Sequence, residues 1–135
     1  GTKSSWGNGL DTTVRAPGMV DLFAYVGSFS NAPTSSDGKV LGEKIASYEH
    51  GLNLLYITCG DADEIAYQSG YAKSVDELME TSGDNLRAYY QVLIKDGVHD
   101  FNVWNNGAYN FIRLSFGKRV GYLKPNVVKM TLDSY

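Results

Sequence analysis

The chain has 135 residues, enough for one domain with its own core, and its 43% hydrophobic and 20% charged content is ordinary for a globular protein. A formal net charge of −3, with no basic block and no interleaving of basic and aromatic residues, argues against nucleic acid as a partner. No apolar run approaches the roughly 18 residues of a membrane helix and no signal peptide is visible, so no membrane partner is expected.

In chain order, the apolar pattern alternates between strand-like and helix-like segments, which predicts a parallel sheet with crossovers. Residues 9–16 read as a short helix stopped near Pro17-Gly18. Residues 22–27 read as a buried strand, and 28–38 as a loop rich in Ser, Asn and Pro. Ser36 or Asp37 is placed to cap a helix running to about His50, with Val40, Leu41, Ile45 and Tyr48 near one face. The clearest strand is 52–58, an almost unbroken apolar run of the kind buried on both faces. Ser74-Val75-Asp76-Glu77 has capping-box spacing and predicts a helix through Leu78 and Met79. Gly83-Asp84-Asn85 turns the chain into a third core strand over 86–94. A last helix follows from about 102 to 116, with Val103, Tyr109, Phe111, Ile112 and Leu114 available to bury. The tail 118–135 reads as an extension whose residues 127–132 alternate weakly, as an edge strand does.

Two turns carry the chemistry. Gly60-Asp61-Ala62-Asp63 follows one strand and Gly97-Val98-His99-Asp100 follows the next, and an acid then a histidine past successive strand ends is the order found in α/β-hydrolases. Ser5-Trp6-Gly7-Asn8-Gly9, near the start, supplies a candidate nucleophile turn, although no strand is predicted to feed it. Asp61 and Glu64 compete with Asp63 for the acid, and a carboxylate-rich turn also suits calcium, without the ligand ladder of an EF-hand. His50 reads as a solvated histidine at a helix end. Phe101 and Trp104 read as packing that fixes the His99 loop. The lone Cys59 closes an apolar run, as a small buried thiol does. No phosphate-cradling glycine loop follows any strand, which disfavours a flavodoxin-like binding domain.

Residues 21–30 (DLFAYVGSFS), the 60–63 turn and His99-Asp100-Phe101-Asn102-Val103-Trp104 together resemble the C-terminal half of the esterase D-like hydrolases, among them the feruloyl and acetyl-xylan esterases of carbohydrate esterase family 1. The resemblance covers roughly residues 5–116. It implies a three-layer α/β/α arrangement, the C-terminal portion of an α/β-hydrolase fold over residues 1–117, with 118–135 as extension or edge strand. It implies a secreted serine esterase acting, without metal or organic cofactor, on acetyl or feruloyl esters of plant polysaccharides or on small acyl esters. The catalytic roles carry over to Ser5, Asp63 and His99, with Ser4 as an off-register alternative; Lys3 stands where the Gly-x-Ser-x-Gly pattern has its first glycine. Because the chain is short for that fold, it is expected to be one piece of a larger unit, dimerising or pairing with an N-terminal half. A non-catalytic α/β binding or assembly module is the competing expectation.

Overall fold

A computed structural model of the protein describes residues 2–7, 23–117 and 127–133, the first of these segments by its backbone. Among the described residues, five strands form one sheet in the order β1 (Thr2–Gly7), β2 (Tyr25–Asn31), β3 (Leu54–Gly60), β4 (Tyr89–Lys95) and β5 (Val127–Asp133). Every neighbouring pair is parallel. The α/β reading therefore holds, with more strands than the three core strands expected. The helix expected over 9–16 lies outside the described residues.

Alternation along β3 divides the core between the two faces of the sheet. Leu55, Ile57 and Cys59 join Val26 and Tyr89 in one cluster, closed by Leu41 and Ile45 of helix α1 (Gly38–Ala46) and by Leu78. Leu54 and Tyr56 join Phe29, Val92 and Ile94 in the other, closed by Val103 and Phe111 of the C-terminal helix Phe101–Phe116. All seven residues of β3 are buried, as a strand covered on both faces requires. Each fully buried Leu, Ile or Phe side chain stabilises the fold by about 1.5–3 kcal/mol before entropy is counted. The long helix comes close to the sheet because small residues line the contact: a Cβ on Gly107 would meet the Phe29 ring at 2.6 Å, and one on Gly27 would meet the Phe111 ring at 2.9 Å.

Several boundaries differ from the sequence reading, each for a local reason. Helix α1 ends at Ala46 instead of reaching His50, because the Asn85 side-chain amide donates to the carbonyls of Ile45, Ala46 and Tyr48 and closes the C-terminus there. Asp37 takes the N-cap position without a side-chain cap bond, and Val40 is exposed. The capping box at residues 74–77 does not form. Ser74 is buried, donates its hydroxyl to the Ser36 carbonyl and accepts from Asn31 Nδ2, so it closes a short turn, α2 (Lys73–Val75), and the following helix α3 (Leu78–Ser82) begins after a left-handed Glu77. The C-terminal helix, α4, buries Val103 and Phe111 but leaves Tyr109 and Ile112 exposed. The tail residues 127–133 do form the edge strand, beside β4.

Candidate functional site

All strands being parallel, their C-terminal ends share one edge of the sheet, and the two chemistry-bearing turns leave from adjacent strands at that edge. The turns are in backbone contact. Ala62 N donates to the Gly97 carbonyl at 3.0 Å, Asp61 N donates to the Ile94 carbonyl at 3.0 Å, and a Cβ on Gly60 would lie 2.1 Å from the Gly97 oxygen. Only glycine allows that approach. Asp61 Oδ1 accepts from Asp96 N at 2.7 Å and holds Asp96 in its left-handed conformation (φ 57°), which swings the chain into the His99 turn.

Asp63 then faces inward. Its Oδ1 accepts from the amides of Ile65 (3.0 Å) and Ala66 (2.8 Å), as an N-cap carboxylate does, and its carbonyl accepts from Tyr67 N. Its Oδ2 lies 2.7 Å from His99 Nδ1. The Asp63 side chain is fully buried, whereas that of His99 is 34% exposed. A buried carboxylate accepting from two amides and an imidazole is held as an acceptor, so the ring presents Nδ1–H to it and leaves Nε2 for proton transfer. His99 itself is fixed from its C-terminal side: Asp100 caps α4 by accepting from Asn102 N and Val103 N, and the Trp104 indole stands edge-to-face with the imidazole at 5.1 Å.

The structure brings Asp63 and His99 together, and it separates them from their rivals. Asp61 is committed to the turn, Glu64 and His50 are exposed, and Phe101 is 66% exposed, with its ring against Trp104 and not in the core. Cys59 is buried with its Sγ 3.8 Å from Asp63 Oδ2. Burial, reinforced by the Asp63 charge, pushes the thiol up to about 12, so at neutral pH it is a proton donor beside the carboxylate and not a nucleophile. Among the described residues no group of three or more His, Cys, Asp or Glu is placed to hold a metal ion.

Ser5 differs from its expected place on a turn. It sits within β1 opposite Ser28 of β2, and the strand continues through Trp6 to Gly7, so Thr2–Gly7 is itself a strand leading towards the site edge. Ser4 lies opposite Gly27 in the same ladder. The sequence reading missed Ser30, a buried serine in a left-handed conformation (φ 49°) whose Oγ accepts from Trp104 Nε1 at 3.1 Å. No family model matches the chain, and no solved structure matches it.

Proposed function

We propose that the chain is the C-terminal portion of an α/β-hydrolase of three-layer α/β/α type and hydrolyses carboxylic esters through a serine nucleophile. The observation that carries this reading is the buried Asp63 carboxylate 2.7 Å from His99 Nδ1, at the edge towards which β1 and Ser5 also run. In this mechanism Nε2 of neutral His99 takes the Ser5 proton as the hydroxyl oxygen attacks the ester carbonyl. The tetrahedral intermediate collapses with loss of the alcohol, which receives that proton, and leaves Ser5 acylated. Water, deprotonated by the same imidazole, then releases the carboxylic acid and restores the serine. Asp63 keeps the ring in the Nδ1–H tautomer and stabilises the imidazolium formed in each half. The resemblance to carbohydrate esterases favours acetyl or feruloyl esters of plant polysaccharides, a secreted setting, and a partner copy or N-terminal half completing the unit.

The test is hydrolysis of a short-chain aryl ester by the purified protein, with fluorophosphonate labelling mapped by peptide. Ser5 is expected to carry the label. Ser5→Ala and His99→Ala reduce hydrolysis to background, and Asp63→Asn costs less, on the order of 10⁴-fold. Undiminished activity in Ser5→Ala removes that serine from the mechanism, and a larger loss from Asp61→Asn than from Asp63→Asn moves the acid. The place of Ser5 inside a strand favours the alternative of a non-catalytic binding or assembly module. The absence of both labelling and hydrolysis above buffer selects that alternative.

A further inference from the structure

Ser30 combines several features that packing alone does not call for. The ladder between β1 and β2 pairs Trp6 with Phe29 and then Gly7 with Asn31, so it skips Ser30. The pairing of β2 with β3 stops at Phe29. Ser30 is therefore a bulge residue, and its φ of 49° is a conformation that costs a non-glycine residue about 1–3 kcal/mol. The bulge re-aims its side chain. Simple alternation along β2 would send Ser30 to the α1 face with Val26, yet its Oγ accepts from the indole N–H of Trp104, which packs with the α4-side cluster. Trp104 in turn stands perpendicular to the His99 ring, at 86° and 5.1 Å. Asp63, at the far end of this set, also has the Cys59 sulfur 3.8 Å from its Oδ2. Ser30, Trp104, His99, Asp63 and Cys59 thus form a continuous chain of side-chain contacts.

We propose that Ser30 is a positioning residue for the acid–base pair: the bulge at the end of β2 holds the Trp104 indole, and the indole holds the His99 imidazole with Nδ1 on Asp63. The hydroxyl, and not the backbone, explains why glycine is not there. Glycine would adopt the same backbone freely, but it would remove the hydroxyl that accepts from the indole N–H. The kinetic part of this inference rests on the esterase reading. The geometric part does not.

The test follows from that division. Ser30→Gly removes the hydroxyl while relieving the strain, so the protein stays folded; Trp104→Phe keeps a ring against His99 but removes the N–H. The primary readout is ¹⁵N NMR of the His99 ring at alkaline pH, where the neutral tautomers are resolved, with the exposed His50 as internal reference. The wild-type ring is expected as a single Nδ1–H tautomer. Both variants shift it towards the mixed signal of His50, and the double variant is no worse than either single one, as two members of one linkage behave. Ser28→Ala, which removes a neighbouring buried hydroxyl without a partner among the described residues, leaves the His99 signal unchanged. With ester substrate, Ser30→Gly lowers kcat roughly 10- to 100-fold at nearly constant KM, the pattern of a misaligned base. An unchanged His99 tautomer in Ser30→Gly, or additive effects of the two variants, overturns the proposal. A wild type without esterase activity overturns the esterase reading and leaves the NMR test standing.

Discussion

Asp61 and Asp63 stand two positions apart on one turn, and hydrogen bonding separates their roles. The first holds Asp96 N at 2.7 Å and so shapes the chain before His99; the second takes the imidazole. Asp61→Ala is therefore expected to lower stability by about 1 kcal/mol, the worth of one such bond, read as an earlier urea midpoint, while the His99 tautomer stays that of the wild type. A lost tautomer in Asp61→Ala would show that the turn, and not Asp63, orients the ring. Much of this pair was legible in the sequence, because a glycine-led acidic turn and a Gly-x-His turn after successive strands open at one edge of a parallel sheet, where successive strands commonly neighbour. Ser30 was not legible. Its part depends on a backbone φ and on a contact across 74 positions to Trp104, neither of which leaves a trace in local pattern.

Gly60 lets two turns close backbone to backbone, as Gly27 and Gly107 let helix and sheet close around the Phe111 and Phe29 rings: at each, a methyl group would collide with what faces it. Gly60→Ala is expected to force the two turns apart and lose the Ala62–Gly97 bond, destabilising the protein by roughly 1–3 kcal/mol and disturbing the His99 ring signal. A melting temperature equal to that of the wild type would mean that the turns can yield. At this scale the sequence predicted the kinds of element well and their ends less well. The run 52–58 matches β3 within two residues because its burial on both faces leaves no polar alternative. The 74–77 box fails because Ser74 is drawn into a buried bond with Asn31, 43 positions away, which no local spacing reveals. β1 was missed because Thr2-Lys3-Ser4-Ser5-Trp6-Gly7 lacks apolar alternation and is defined by its pairing with β2.

Across the whole molecule, several ionisable groups are buried in the same protonated state. Burial raises Cys59 from its ordinary 9.0 to about 12 and raises Tyr56, Tyr71 and Tyr89 beyond their ordinary 10.0. Each group stays neutral in the folded protein at pH values where it ionises in the unfolded chain. The stability they share is complete below pH 9 and is lost as pH rises from there through the folded values. Thermal unfolding is expected to show a melting temperature that falls from about pH 9 upwards, steepening past pH 10 as unfolded tyrosines ionise. Cys59→Ala removes the earliest part of that fall; a melting temperature constant from pH 8 to pH 11 would show that these groups reach solvent in the native state. Alternation of strand and helix announced the parallel sheet and the adjacency of the strands at 52–58 and 86–94, while the full order with β1 and β5 appears only in the pairing. Among the described strands, each after β1 lies beside one synthesised before it, so no described pair has to reopen to admit a later strand. The acidic turn stands 36 positions before its histidine, so the proton-transfer pair cannot close until synthesis has passed the His99 turn.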